Sequence, residues 1–559
     1  MPFADVLFTG GAVFTGTGKP IHDHAVAVIG DRIAGIVPEG AVETWIGEHT
    51  RVVQLDGALL SPGFQDGHIH PVSGGTELLM CNLTEAQDAT DAIATIKAYA
   101  EANPDEPWIL GGGWSMDHFP GGSPVRTLLD AVVADRPVLL LSRDHHSTWV
   151  NTAAIKLAGL NADTEDPADG RIERESDGTP AGTFHEGAGE LFGDVRPATD
   201  PDFAYQGLLR AQQEMLALGI TGWQDAMVGG TLDGNGDVGS LYERAIAEDT
   251  LRVHVVGAQW WERAGGMEQV QRMAERRDAL AARTNSNRFS LGTTKIMVDG
   301  VAENHTASML TPYRDEHGKD TCNHGISFID NAQLNEFVVA LDAAGQQVHF
   351  HALGDRAVRD ALNAIEAARE ANGDRDGRHQ LAHLQIVEEA DTARFAGLGA
   401  VANLQCLWAC HEDQLDELTL PFLQEGAEAR QYPFGDLAKH GARLAAGSDW
   451  PVSSADPMEA INIAVNRVSP GSTAAPLGGA HQRLDLATAM AAYTSGTAYA
   501  NHRDHDTGSV REGFLANLVV LAPNPFLLSP EDIHRSTVVS TWIDGNVVYA
   551  RPTNDDEEL

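Results

Sequence analysis

The sequence predicts an α/β protein: a (β/α)8 TIM barrel with an inserted lobe, plus a small β-sandwich domain formed by both chain ends. Three observations predict this fold. The middle of the chain alternates short apolar runs with helical patterns, both ends carry short strand-like runs, and 559 residues suit a large catalytic domain with a smaller companion. We expect the composite β domain in residues 1–60 and 505–555 and the barrel domain in residues 61–504.

The two chain ends have similar amino-acid patterns. "DVLFTGGAVFTG" near the start and "STVVSTWIDGNVVYA" near the end are rich in Val and Ile, and Gly-containing turns interrupt them. Such runs are typical of short strands. Two β-rich ends around a long middle segment indicate that the termini pair into one domain.

The middle segment alternates strands with helices. Apolar runs such as "GTTKIMVDG" and "QQVHFHALGD" end in polar residues, and patterns such as "AYQGLLRAQQEMLAL" have helical periodicity. This alternation implies a parallel sheet, and the absence of nucleotide-binding glycine motifs favours a closed barrel over an open sheet. Residues 71–200 are too long for one barrel step, which predicts an insertion within that range.

The composition is strongly acidic. The net charge is −42, from 80 acidic and 38 basic residues, and only six of the basic residues are lysines. Such a surface suits concentrated salt, where the Debye length falls to about 3 Å and self-repulsion is screened. We interpret the chain as halophilic, with an ordinary acidic enzyme as the alternative. Either interpretation argues against binding nucleic acid or anionic membranes.

Cysteine usage and hydropathy bear on the compartment. Four cysteines make no disulfide framework at this length, and buried free thiols explain "QCLWAC" better than a metal pair does. The start lacks the basic-then-apolar layout of a signal peptide, and no apolar run approaches 18 residues. We expect a soluble cytoplasmic protein. Its oligomeric state stays open, with a homodimer as one candidate.

A short extended segment carries two histidines, His68 and His70, in "LSPGFQDGHIHPVSGG". Alternate residues of a strand point to the same side, so both imidazoles can bind one metal ion. The flanking turn residues end the strand at the mouth of the predicted barrel. The pattern alone is weak, because most H-x-H pairs have no metal.

Four further residues fall at predicted strand ends, where parallel barrels place catalytic groups: Lys295, His351, His383 and Asp449. Lys295 is either a barrel lysine that reaches solvent or a buried amine of lowered pKa that can react with CO₂ to form a carbamate. The two histidines are either structural residues or metal ligands. Asp449 either caps a turn or binds metal and carries a proton.

Several short sequence motifs indicate which family this set of residues resembles. The ordered residues resemble the metal ligands of the amidohydrolase superfamily. The motifs are similar to those of amidohydrolase family 3, the branch that includes N-substituted formamide deformylase-like enzymes. The resemblance runs from about residue 4 to residue 550. These motifs are "SPGFQDGHIH", "GGGWS", "HHSTWVN", "KIMVDG", "HFHALGDRAV", "GSDWPV" and "GFLANLVVL".

The resemblance implies roles for these residues. His68 and His70 resemble the ligands of the more buried ion, and Lys295 resembles the fourth-strand lysine, which can be carbamylated and bridge two ions. The remaining three candidates resemble the ligands of the fifth, sixth and eighth strands. One or two divalent ions are implied, with Zn²⁺ the expected metal. One departure is Ala382, where family members commonly carry Glu, and its loss removes a potential partner of the sixth-strand ligand.

The implied function is hydrolysis of a non-peptide C–N bond in a small molecule: an amide, formamide or cyclic amide. Metal-activated hydroxide attacks the carbonyl, and Asp449 shuttles the proton to the leaving nitrogen. His146 or His349 can hydrogen-bond the oxyanion, and Trp114 can line the substrate pocket. A deaminase, esterase or decarboxylase using the same site is the alternative, as is a non-catalytic scaffold relative.

Overall fold

The computed structural model describes residues 3–229, 236–284 and 286–552. Its centre is a sheet of eight parallel strands in which neighbours in the chain are neighbours in space. The predicted (β/α)8 barrel is therefore confirmed. In order, the barrel strands are Phe64–Ile69, Ile220–Val228, His254–Trp260, Phe289–Met297, Gln347–Ala352, Gln380–His383, Val401–Leu404 and Arg443–Ala446.

The barrel closes just beyond its eighth strand. The backbone N–H of Asp449 donates to the carbonyl of His68 at 2.7 Å, and the N–H of His70 donates to the carbonyl of Trp450 at 2.9 Å. These bonds join the end of the first strand to the turn that follows the last. The ring is thus completed at the edge where the candidate site residues lie.

Helices cover the outside of the barrel. Where a helix follows a loop, Asp often caps it: the carboxylate of Asp330 accepts the N–H of Ala332, and Asp200 accepts those of Asp202 and Phe203. The larger helices after the lobe are Pro201–Ala217, Gly239–Ala247, Glu268–Arg283, Asn331–Ala343, Asp355–Asn372 and Pro457–Asn466. Shorter ones are Glu389–Thr392, Arg394–Leu398, Phe434–Lys439, Leu486–Ala491 and Thr497–Ala500.

The inserted lobe leaves the barrel after its first strand and returns before the second. Its sheet has six strands, in the spatial order Gly170–Arg174, Pro180–Glu186, Ser147–Val150, Val138–Ser142, Ile109–Trp114 and Cys81–Asn82. Four helices accompany it: Pro71–Glu77, Ala89–Ala102, Arg126–Asp130 and Thr152–Leu157. The lobe has apolar cores of its own, which contain Trp114, Trp149 and Phe184.

Both chain ends build the second unit. One sheet orders Arg32–Pro38, His24–Ile29, Val6–Thr9 and Arg51–Gln54; the other orders Ala12–Val13, Leu59–Pro62, Leu518–Ala522, Thr537–Ile543 and Asn546–Ala550. A shared core joins them, in which Phe8 meets Trp542 edge-on with ring centroids 5.0 Å apart. This is the β-sandwich predicted from the ends.

The barrel interior is polar. Side chains of Gln224, Thr293, Gln347, Gln380 and Asn403 project into it, and each is at most 4% exposed. The apolar core lies outside, between strands and helices. Three of the cysteines, Cys81, Cys406 and Cys410, are buried free thiols. Among the described residues, no helix is both long and apolar enough to cross a bilayer.

Candidate metal centre and active site

The six candidate ligands lie at one end of the barrel. His68 and His70 stand at the end of the first strand, Lys295, His351 and His383 at or near the ends of the fourth, fifth and sixth, and Asp449 just after the eighth. Carboxyl ends of parallel strands meet at one edge, so residues distant in the chain converge there. All but His70 are below 9% exposure, and the His70 side chain is 12% exposed.

Asp449 is the centre of the group. Its Oδ1 lies 3.2 Å from Nε2 of His68 and 3.1 Å from Nε2 of His70, and its Oδ2 lies 3.9 Å from Nδ1 of His383. Although these atoms lie close together, Oδ1 has no aligned hydrogen bond. Burial alone would raise the pKa of Asp449, yet the adjacent imidazoles hold that pKa well below its usual range. The carboxylate is therefore ionised.

His383 has two ring nitrogens that are free to coordinate a metal ion. Its ring is buried, and neither Nδ1 nor Nε2 has a hydrogen-bond partner. The ring stacks on Trp408 at 5.5 Å and 11°, which fixes its plane. Donor atoms of His68, His383 and Asp449 all lie within 4.8 Å of one another.

Buried nitrogens without hydrogen bonds are costly unless something binds them. Burial also lowers the pKa of His383 well below its usual value and that of His68 to about 3, so both rings are neutral. Two neutral imidazoles and an ionised carboxylate are the donor set that Zn²⁺ and similar ions prefer. The residues present therefore fit a divalent metal.

Lys295 is buried beside these groups, with 2% exposure. Its Nζ lies 3.1 Å from Nε2 of His68. Burial lowers the pKa of the amine to about 7. A substantial neutral fraction at neutral pH makes this lysine nucleophilic, which is the property that reaction with CO₂ requires.

His351 sits next to His383, with ring centroids 4.5 Å apart. Its Nδ1 is 3.4 Å from Oδ1 of Asp299, whose carboxylate accepts the backbone N–H groups of Ser308, Leu353 and Gly354. Asp299 thus ties the loops after the fourth and fifth strands to the back of His351. The ring nitrogens of His351 are not among the donor atoms of His68, His383 and Asp449 that lie within 4.8 Å of one another. His351 therefore lies at one side of the centre.

His146 comes from the inserted lobe and reaches the site, with its ring centroid 5.4 Å from that of His351. Its Nδ1 pairs with Oε2 of Glu186 at 2.9 Å, and Thr306 donates to the other oxygen of Glu186 at 2.8 Å. Burial would lower the pKa of His146, but the charge of Glu186 outweighs it and raises the pKa to about 9. His146 is therefore a cation at neutral pH.

Two expected substrate-binding residues lie elsewhere. Trp114 is fully buried in the lobe, packs edge-on against Phe119 and Trp149, and donates its indole N–H to the carbonyl of Leu140. It belongs to the lobe core rather than the cavity wall. His349 lies beneath the site, where its Nε2 is 2.7 Å from Nδ1 of His68, so it contacts a candidate ligand and not the cavity.

Two cavities meet at the centre. One, of about 580 Å³, is walled by Trp408, Trp450 and Tyr432 together with Glu303. The other, of about 600 Å³, extends under the lobe. Both are lined by Asp449, His146, His351 and His383. The two cavities therefore leave space on either side of the candidate ligands.

Sequence reasoning missed several residues here. Glu186 and Trp408 contact the candidate site residues His146 and His383. Glu186 ends a lobe strand, and Trp408 lies in a single turn of 3-10 helix, Cys406–Trp408. Glu186 lies in no motif, and Trp408 lies in "QCLWAC", which was considered only for its cysteines. Their signal is position: Glu186 is the last residue of a strand that leads toward the site, and Trp408 lies in the turn after another such strand.

Fold and site together define a barrel protein with a buried candidate metal centre at the carboxyl ends of its strands. More particularly, the chain belongs to the amidohydrolase family, whose model, described as "Amidohydrolase family", matches residues 51–549. The predicted family is confirmed.

Two relatives and one solved structure illustrate the similarity. Protein LONG AFTER FAR-RED 3 of Arabidopsis thaliana is 30% identical over 98% of this chain and 92% of its own length. N-substituted formamide deformylase of Arthrobacter pascens is 27% identical over 98% of both chains. An uncharacterized metal-dependent hydrolase from Pyrococcus horikoshii OT3 has the same fold, with a TM-score of 0.70 at 22% identity over 94% of this chain and 99% of that one.

Proposed function

We propose that this protein is a metal-dependent hydrolase that cleaves a C–N bond other than a peptide bond in a small molecule. The observation that carries the proposal is His383, a buried imidazole with two unpartnered nitrogens beside the ionised Asp449 where two cavities meet. A formamide deformylase among the relatives of similar length supports the choice of an amide-type bond.

The chain's own residues divide the work. His68, His70, His383 and Asp449 would hold a divalent ion, which supplies Lewis acidity that polarises a carbonyl and activates water. Asp449 accepts the proton of the attacking water and delivers it to the leaving nitrogen. Its two oxygens face different imidazoles, so one can hold the proton while the other stays anchored.

His146 is placed to stabilise the negative charge that develops on the substrate oxygen. Glu186 occupies its Nδ1, and the ring is cationic, so the Nε2–H is a charged donor at the edge of both cavities. We assign the oxyanion role to His146 and not to His349, which is buried beneath His68.

Lys295 completes the proposal. Its buried amine, with a pKa of about 7, would react with CO₂ to give a carbamate and a released proton, and the two anionic carbamate oxygens would be further ligands for divalent ions held by the neighbouring histidines. An unmodified Lys295 would leave a single ion, Zn²⁺ being the expected one.

The test is hydrolysis of a panel of amides, N-formyl compounds and cyclic amides in high salt, with the metal content of the purified protein measured alongside. We expect bound metal, turnover of at least one class and loss of turnover on chelation. Esters are included because the same site can hydrolyse them. Protein with no metal and no response to chelator would support a scaffold and refute the proposal.

A further inference from the structure

A chain of hydrogen bonds runs through the polar barrel interior to the base of the candidate metal centre. It begins where Nδ1 of His68 meets Nε2 of His349 at 2.7 Å, and Nδ1 of His349 meets Oε1 of Gln224. Gln380 donates to the same oxygen of Gln224 at 3.0 Å. We name His68, His349, Gln224 and Gln380 the interior relay.

Three backbone carbonyls set the direction of the relay, because a carbonyl oxygen only accepts hydrogen bonds. The side-chain nitrogen of Asn403 faces the carbonyl of Gly67 at 2.8 Å, so it is the donor that reaches Oε1 of Gln380 at 2.9 Å. With its oxygen occupied, Gln380 presents its NH₂ to Gln224. Oε1 of Gln224 is therefore an acceptor.

The hydrogen bonds of Gln347 give the same orientation for Gln380. The side-chain nitrogen of Gln347 faces the carbonyls of Arg378 and Ala500 at 2.6 and 2.7 Å. Its Oε1 therefore accepts, taking the hydroxyl of Thr293 at 2.8 Å and the NH₂ of Gln380 at 3.4 Å. Both routes give Gln380 the same orientation.

The tautomers of the two rings follow. An acceptor at Gln224 requires a proton on Nδ1 of His349, which leaves a lone pair on its Nε2. That lone pair in turn requires a proton on Nδ1 of His68. The Nε2 of His68 then carries the lone pair and can accept a hydrogen bond from Nζ of Lys295 at 3.1 Å, while Oδ1 of Asp449, 3.2 Å away, makes no aligned hydrogen bond with it.

We propose that Gln224 and His349 are positioning residues that hold His68 in the tautomer whose Nε2 can bind the metal ion. This inference rests on the proposed function. The partner of a ligating histidine commonly fixes its tautomer and orientation, and changing such a partner costs about 10- to 100-fold in metal affinity. Here that partner is a second histidine instead of the usual carboxylate or carbonyl.

The first experiment measures Zn²⁺ affinity by competition with a chromophoric chelator on metal-free protein. His349→Leu removes the acceptor and should weaken Zn²⁺ binding about 10- to 100-fold. His349→Gln places an oxygen within reach of His68 and should restore affinity toward the native value. Equal affinity in both variants would overturn the inference, and thermal unfolding shows whether each is folded.

A matched control is His254→Leu. His254 is a buried histidine at the amino-terminal end of the third barrel strand, 3.9 Å from Asp544. Removing it disturbs the barrel without touching the relay. It should leave Zn²⁺ affinity unchanged, and a loss as large as that of His349→Leu would show a merely structural effect and overturn the inference.

Neutron diffraction from deuterated, metal-free native crystals tests the tautomers directly. We expect deuterium on Nδ1 of His68 and of His349 and none on either Nε2. Deuterium on Nε2 of His68 would overturn the relay while leaving the proposed function standing. Native protein that takes up no Zn²⁺ would instead overturn the proposed function, and the inference with it.

Discussion

Asp66 accepts the backbone N–H of Ser448 with both of its carboxylate oxygens, each at 3.1 Å. One of those oxygens also accepts the N–H of His68 at 3.0 Å. A single buried side chain therefore fastens the first barrel strand to the turn after the eighth, between two candidate ligands. Burial raises the pKa of Asp66 to about 7 in spite of these hydrogen bonds.

The first prediction concerns this fastening. Asp66→Ala leaves the N–H groups of His68 and Ser448 unpaired in a buried position and should lower the free energy of unfolding by about 1.5–3 kcal/mol. Denaturant unfolding measures the change. Asp66→Asn keeps one acceptor oxygen and is the matched comparison: it should lie between native and Asp66→Ala, and identical stability of all three would contradict the assignment.

The second prediction addresses proton transfer. Asp449→Asn removes the base and one ligand charge and should lower kcat/KM by at least about 10²–10⁴-fold, with the fold intact by circular dichroism. His70→Ala should also abolish turnover. Asp249→Asn, whose side chain is 91% exposed, is the control and should be fully active. Full activity in Asp449→Asn would sink the mechanism.

A third prediction follows from the unpartnered nitrogens of His383. Removing metal with a chelator should lower the melting temperature as well as activity, because an ion that binds only the folded state stabilises it by mass action, by about 2.7 kcal/mol at one hundred times its Kd. Adding Zn²⁺ back should restore both. Equal melting temperatures with and without metal would argue against a buried ion.

The fourth prediction concerns Lys295. Lys295→Ala should lose turnover, because the buried amine that would carry the carbamate is gone. Acetate or propionate should restore part of it by placing a free carboxylate in the space left behind. Activity is measured against carboxylate concentration, with Lys156→Ala on an exposed face as control. A variant that stays inactive at every concentration would remove the support for carbamylation.

The fifth prediction is a pH dependence away from the centre. Asp456 caps the helix Pro457–Asn466 by accepting the N–H of Met458 at 2.7 Å, yet burial raises its pKa from 3.8 to about 6. The folded state then binds a proton more tightly than the unfolded state, so stability falls as pH rises between those values and the cost persists above about 6.

Asp456→Asn keeps the cap and removes that charge. It should raise the free energy of unfolding at pH 8 by on the order of 1 kcal/mol, and by less at pH 5. Melting curves at the two pH values measure the difference. A variant that is less stable than native protein at pH 8 would show that the ionised cap is favourable.

The barrel and its candidate ligands were predictable because parallel strands put their carboxyl ends at one edge. His68, His351 and Asp449 each end a short apolar run, and that position alone brings them together. Depth within the barrel was not predictable. His349 and His351 are two residues apart on one strand and point the same way. His351 nevertheless lines the cavity, whereas His349 lies beneath His68.

The positions of aromatic and acidic residues at strand ends and in turns were harder to predict from the sequence. Trp114 is the last residue of a glycine-rich strand, a context equally compatible with a pocket wall and with the lobe core where it lies. Glu186 contacts a site residue from the end of a lobe strand and Trp408 does so from a 3-10 turn, and no periodicity in the sequence specifies either contact. Their roles depend on how the lobe and the turn after the seventh strand sit over the barrel, which is a property of the assembled fold.

The lobe departs from and rejoins the barrel between two strands that are themselves paired, the first and the second. Insertions, deletions or exchanges in this one stretch would consequently leave the eight-strand register untouched while reshaping the roof over the candidate metal centre. The candidate ligands of the barrel would keep their places, and His146 with its partner Glu186 would have to be retained within the lobe. Under the proposed function, new selectivities could then arise by editing one detour of the chain.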